Sequence, residues 1–143
     1  MDEILDTIVI GGGQAGLASG YHLQKAGLSF MILEASDQPT GSWPRYYDSL
    51  KLFSPARYST LPGYPFPKDS NEYPLRDEVI SYLRHYAEKF KLPQKTNSKV
   101  ERINVVNGGF DVITLSGDRI RTKTLICASG SFHRPHIPSL QGI

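Results

Sequence analysis

The sequence predicts an α/β fold, a parallel sheet carrying an antiparallel β-meander as an insertion. Three observations predict it. The apolar run Thr7-Ile8-Val9-Ile10 leads straight into Gly11-Gly12-Gly13-Gln14-Ala15-Gly16. Eighteen residues after Gly16, a second apolar run, Phe30-Met31-Ile32-Leu33, ends on Glu34. Farther on, short β-type segments are separated by the turn sequences Asn107-Gly108-Gly109 and Ser116-Gly117-Asp118. Strand, glycine turn, helix, strand and acid in that order form a βαβ half-unit, and that order builds a dinucleotide site from backbone geometry.

Each glycine of the first turn has a physical task. Gly11 lets the chain leave its strand sharply, where a Cβ would clash. Gly13 lets a pyrophosphate approach the backbone, and Gly16 lets the helix pack closely on the strand. Gly20, one helical turn beyond Gly16, extends that thin face. Free N–H groups at the helix start then face the phosphates, and the helix dipole favours their charge. Glu34 stands where an acceptor binds ribose hydroxyls. The bland alternatives are a glycine turn that binds nothing and a Glu34 that ends its strand in water. The helical pattern of Ala15, Leu17, Ala18, Tyr21 and Leu23 favours the dinucleotide reading.

Composition narrows the class. A chain of 143 residues suits one domain with a sizeable core, and a net charge of +2 gives no field for nucleic acid or a membrane surface. Cys127 stands alone, which excludes a disulfide framework and a C-x-x-C redox pair within these residues. It falls inside an apolar strand and reads as a small buried residue. The acidic N-terminus lacks a secretory pattern, and no apolar run approaches the roughly 18 residues that span a bilayer. The expected setting is cytoplasmic.

Residues 37–74 change character, with proline, glycine and aromatics in Gln38-Pro39-Thr40-Gly41-Ser42-Trp43-Pro44-Arg45-Tyr46-Tyr47 and Leu61-Pro62-Gly63-Tyr64-Pro65-Phe66-Pro67. Disordered linkers are poor in aromatics, so this is an ordered loop packed over something flat. A helix starts at Leu75-Arg76-Asp77-Glu78, with Val79, Ile80, Leu83, Tyr86, Ala87 and Phe90 at helical spacing, and Pro93 stops it. Val100–Val106, Phe110–Leu115 and Arg119–Arg121 form the meander, and Thr124–Ala128 is a separate last strand. Its small exit, Ala128-Ser129-Gly130, brings backbone to the carboxyl end of the sheet, where ligands of such folds bind. His22 and His85 read as solvated helix residues. His133 and His136 have no cysteine or carboxylate cluster beside them, so no metal is expected.

Together these motifs resemble a flavin-containing monooxygenase-like family, that of the bacterial class B flavoprotein monooxygenases and the plant auxin-forming enzymes. The residues that carry the resemblance are Gly11–Ala18, Glu34–Trp43, Asp48-Ser49-Leu50-Lys51-Leu52-Phe53-Ser54-Pro55, Leu61–Pro67, Ala128-Ser129-Gly130 and Arg134-Pro135-His136-Ile137-Pro138. The resemblance implies a Rossmann-like FAD-binding domain with a parallel sheet and an antiparallel β-meander insertion. By this likeness Gly11, Gly13, Gln14, Ala15 and Gly16 would hold the FAD pyrophosphate and Glu34 the ribose of its AMP half. Ser42 and Trp43 would sit by the FAD, with the indole as a flat wall or as an aromatic anchoring the loop. Backbone at Val100 would reach the adenine end, and Ala128 and Ser129 would line the second approach.

The implied activity is that of an FAD- and NAD(P)H-dependent monooxygenase. In the family a nicotinamide reduces the flavin, O2 adds to give a C4a-hydroperoxyflavin, and oxygen passes to a small-molecule sulfide, amine or ketone. Phe53 stands where animal-type members carry an asparagine, and an aromatic cannot make that asparagine's hydrogen bonds. Phe53 is therefore the candidate nearest the reactive face, and the choice between NADPH and NADH is open. Members of the family continue into an F-x-G-x-x-x-H motif, a second nucleotide motif and a returning C-terminal segment. The 143 residues are thus expected to be the N-terminal part of an FAD-binding domain, inactive alone and prone to self-association. A non-catalytic nucleotide-binding module and another pyridine-nucleotide-linked flavoprotein are the alternatives.

Overall fold

Strand β1 (Leu5–Ile10) runs through the middle of the sheet, as its apolar run demands, because a parallel strand covered on both faces needs apolar side chains on both. Thr7 is 3% exposed and Ile8 and Val9 are fully buried. The computed structural model describes residues 4–132, 136–140 and 142. Within them lie helix α1 (Gln14–Lys25), β2 (Phe30–Leu33), helix α2 (Arg76–Lys89), β3 (Gln94–Lys95), β4 (Val100–Val106), β5 (Gly109–Thr114) and β6 (Arg119–Cys127). The six strands form one sheet in the order β3-β2-β1-β6-β5-β4. β1 is parallel to β2 and β6, and β4-β5-β6 is an antiparallel meander.

The start of β1 is tied to the start of β2. The Ser29 amide and hydroxyl both donate to Asp6 Oδ2 (2.9 Å each), and Lys123 Nζ donates to Asp6 Oδ1 (2.7 Å). The Lys123 ammonium and the Ser29 donors hold the Asp6 carboxyl down at about 2.

On one face of the sheet, α1, α2 and the long loop close over Val9, Leu17, Phe30, Ile32, Val79, Tyr82, Leu83 and Tyr86. α2 begins where Glu78 reaches back to accept from the Leu75 amide (2.8 Å), half of a capping box. Its two buried tyrosines pin the loop. Tyr82 Oη accepts from the Leu61 amide (2.7 Å) and donates to the Tyr64 carbonyl (2.5 Å). Tyr86 Oη donates to the Pro62 carbonyl (2.6 Å). Burial pushes both phenols up from their ordinary range. The loop is ordered, as its aromatics predict, but Ala56 and Phe66 lie in the protein's own core and not over a ligand. The opposite face of the sheet carries a smaller cluster of Ile8, Leu33 and Val112.

The structure corrects two readings and adds one element. Arg119–Arg121 and Thr124–Ala128 are not two strands. β6 is continuous, pairing with β5 through Arg119–Thr122 and with β1 through Thr122–Cys127. The polar pair between them does not break the strand because Thr122 is fully buried, its hydroxyl reaching the carbonyls of Leu5 (3.2 Å) and Thr124 (3.0 Å). Cys127 is exposed, not buried, because it stands at the end of β6, where cover of the sheet runs out. Finally, Gln94-Lys95 after Pro93 form the short edge strand β3, which two polar residues do not announce. His133 and the Arg134-Pro135 half of the last motif lie outside the described residues.

Candidate functional site

The carboxyl ends of β1 and β6 meet at the glycine turn. The Gly11 amide donates to the Leu33 carbonyl (2.8 Å) and the Ala128 amide to the Ile10 carbonyl (2.8 Å). Gly11 has φ +106°, and a Cβ there would stand 2.3 Å from the Ala128 carbonyl oxygen and 3.2 Å from the Ser129 Cα. The turn after β1 and the turn after β6 are therefore in van der Waals contact, as the small residues at both ends require. A Cβ on Gly16 would stand 1.9 Å from the Gly11 carbonyl oxygen, so α1 packs directly on the turn.

Gly13 differs from its neighbours. It is the N-cap of α1, with φ −78° and ψ −169° and no side chain capping the helix. The first-turn amides, those of Gln14, Ala15 and Gly16 among them, are thus left to solvent or a ligand. A Cβ built on Gly13 would meet only the Gly41 Cα, at 3.8 Å. The space over Gly13 is open, and its backbone tolerates a side chain. This is a cradle that a Cβ would fill, and it fits a phosphate group at a helix start.

The cradle has two walls. On one side Gly41, at φ +61°, presses against the turn, and a Cβ there would lie 2.8 Å from the Gly13 Cα. Ser42 and Trp43 follow. Ser42 caps the 3-10 turn Trp43–Arg45, and Trp43 Nε1 donates to Gln14 Oε1 (3.1 Å) while its ring meets Tyr46 edge-on at 5.3 Å. On the other side stands Glu34, 5% exposed and therefore not a solvated strand end. Its Oε2 accepts from the Gly12 amide (2.7 Å), and its Oε1 accepts from the Ser36 amide and hydroxyl (2.8 Å each). A carboxylate offers about four acceptor sites. Only the Gly12 amide occupies Oε2, which leaves that oxygen one lone pair for a further hydroxyl.

Val100 opens β4 two residues beyond Ser98, whose amide donates to the Glu34 carbonyl (2.8 Å), so the chain carries Val100 past the Glu34 end of the sheet. Phe53 is not gathered into the cradle. Its ring is 99% exposed, while the preceding Leu52 turns to the core. Sequence reasoning missed Gly12, Ser36, Thr40 and Gly41. The signal for Gly41 is a glycine immediately before Ser42-Trp43, and for Ser36 a hydroxyl two residues after an acid. Thr40 gives no sequence signal. Its hydroxyl is fully buried without a partner, next to the glycine that backs the cradle.

Comparison with known proteins decides the family. The model of the pyridine nucleotide-disulphide oxidoreductase family matches residues 8–143. The chain belongs to this family. Within it the likeness runs to flavin monooxygenases, as the motifs imply. The fold matches that of a flavin-containing monooxygenase from Stenotrophomonas maltophilia with a TM-score of 0.92 and 39% identity, covering 99% of this chain and 43% of that one. The oxidoreductase CzcO of Bacillus velezensis is 40% identical over 135 residues, 94% of this chain and 39% of CzcO. The probable indole-3-pyruvate monooxygenase YUCCA9 of Arabidopsis thaliana is 33% identical over 142 residues, 95% of this chain and 34% of the plant protein. The chain thus spans about two fifths of the length of CzcO.

Proposed function

We propose that these residues form the FAD-binding part of an NAD(P)H-dependent flavoprotein monooxygenase acting on a small molecule with O2. The observation that carries this reading is the open cradle at Gly13, bounded by Gly41, Glu34 and the uncapped start of α1. In it Gly11, Gly13, Gln14, Ala15 and Gly16 would hold the pyrophosphate by backbone amides and the α1 dipole. Glu34, with its one remaining acceptor site, would take a ribose hydroxyl, and Val100 would stand near the adenine end. Ala128 and Ser129 would close the second approach, and Ser42 and Trp43 would flank the flavin side.

When bound, flavin supplies the redox chemistry, taking electrons from a reduced nicotinamide and activating dioxygen for transfer to a sulfide, amine or ketone. The protein's own task is to bind, orient and exclude water. Trp43 and Tyr46 offer an apolar wall for that purpose. Phe53, fully exposed on the neighbouring loop, is the candidate for the residue that meets the nicotinamide or substrate. A cytoplasmic setting, where reduced nicotinamides are available, accords with this reading. Among the described residues no helix is long and apolar enough to cross a membrane.

The test is FAD titration of the full-length protein, read by flavin absorbance and fluorescence. Saturable binding at one FAD per chain is the expected result. Absence of binding, or binding of a free nicotinamide dinucleotide in its place, contradicts the reading.

A further inference from the structure

Arg76, the first residue of α2, directs its side-chain hydrogen bonds to Tyr46, Asp48 and Asp77 and so holds the segment that carries the aromatic wall. Its Nη1 donates to the Tyr46 carbonyl (2.6 Å) and to Asp48 Oδ1 (2.6 Å), and its Nε donates to Asp77 Oδ1 (2.8 Å). Its backbone amide donates to the Leu50 carbonyl (2.9 Å). One residue therefore fixes both ends of Tyr46–Leu50. The side chain is 15% exposed, so the guanidinium lies under the loop and not beside it in water.

These contacts lead to the cradle. The Tyr46 amide donates to the Trp43 carbonyl (3.2 Å), the two rings meet edge-on, and Trp43 Nε1 donates to Gln14 Oε1 at the start of α1. Tyr46 also meets Phe132 edge-on at 6.0 Å, just beyond the Ala128-Ser129-Gly130 exit. Tyr46 thus sits between both turns of the cradle, and its carbonyl is held from behind by a charged fork. The contacts of Arg76 are unequal. Asp48 and Asp77 are 96% and 76% exposed, and ion pairs to such groups contribute little. The Tyr46 carbonyl belongs to a half-buried residue, and a charged donor on it is the stronger bond.

We propose that Arg76 is a positioning residue that sets the Trp43–Tyr46 wall against the bound flavin. The proposal rests on the FAD reading above. The test uses the full-length protein loaded with FAD, with three variants: Arg76→Ala, Arg76→Lys and Asp48→Ala. Three quantities are read: FAD Kd, emission per bound flavin (which neighbouring aromatic rings quench) and Tm.

Arg76→Ala is expected to weaken FAD by about tenfold, the change one charge-assisted hydrogen bond carries, and to raise the emission of the flavin that still binds. Arg76→Lys restores part of the quenching, because an ammonium reaches one acceptor but cannot fork. Asp48→Ala leaves Kd and emission unchanged. A lower Tm in Arg76→Ala with unaltered Kd and emission overturns the proposal and leaves the FAD reading intact. Asp48→Ala reproducing the Arg76→Ala changes also overturns it. If Arg76→Ala does not fold, Arg76→Lys decides, with unchanged emission counting against the proposal. Failure of the unaltered protein to bind FAD overturns both.

Discussion

Glu34 Oε2 accepts a 2.7 Å hydrogen bond from the buried amide of Gly12. The acid expected to bind a ribose is therefore already part of the turn that would hold the phosphates, and one side chain links the end of β2 to the end of β1. Removing it has two consequences. Glu34→Ala leaves the Gly12 amide buried and unpaired, which costs about 1–3 kcal/mol. It also weakens FAD binding. Glu34→Gln keeps one oxygen for the Gly12 amide but turns an NH2 toward the Ser36 amide, so it is expected to retain more FAD binding than Glu34→Ala while still losing stability. Denaturant melts and FAD titrations of both variants check this.

Gly16→Ala is a folding mutation. Its Cβ would stand 1.9 Å from the Gly11 carbonyl oxygen, and backbone on both sides cannot give way. A destabilisation of about 3 kcal/mol or more is expected. Thermal melts of the full-length protein would show it, and a variant as stable as the parent would contradict the packing described here.

The α2 tyrosines hold the long loop by single hydroxyls. Tyr86→Phe removes the donor to the Pro62 carbonyl and Tyr82→Phe the pair of bonds to Leu61 and Tyr64. Each is expected to cost about 1 kcal/mol. Faster amide exchange over Leu61–Phe66, with α1 unaffected, is the specific signature.

Asp6 gives a pH dependence. Its carboxyl is lowered from an ordinary 3.8 to about 2 by Lys123 and Ser29. A depressed carboxyl contributes stability that is present above the unfolded value and lost as pH falls through the folded one. The advantage of the parent over Asp6→Asn is therefore full above about pH 5, falls as pH drops through about 2, and is gone by about pH 1. Melts of both proteins across that window test it, and a difference that persists at the acid end would contradict the Lys123–Asp6 pairing.

Much of this was legible in the sequence because local rules sufficed. The βαβ order, Gly11 at a positive φ and Gly16 under the helix follow from what a Cβ would strike. The hairpin turns at Asn107-Gly108 and Ser116-Gly117 fall where expected. What was not legible depended on distant partners. β6 is one strand because a buried Thr122 finds carbonyls on β1 and on its own strand. Cys127 is exposed because cover ends there, which periodicity does not register. The loop aromatics divided between core and surface, with Phe66 buried against Tyr82 of α2 and Phe53 exposed.

The central claim is that Gly13 is small for a ligand and not for the fold. The decisive measurement is FAD titration of Gly13→Ala beside the unaltered full-length protein, with Tm recorded for both. A Cβ there meets only the Gly41 Cα at 3.8 Å, so stability should change by less than ~1 kcal/mol. FAD affinity should fall at least about tenfold, which is ~1.4 kcal/mol. Unchanged FAD affinity in a folded Gly13→Ala protein would contradict the account.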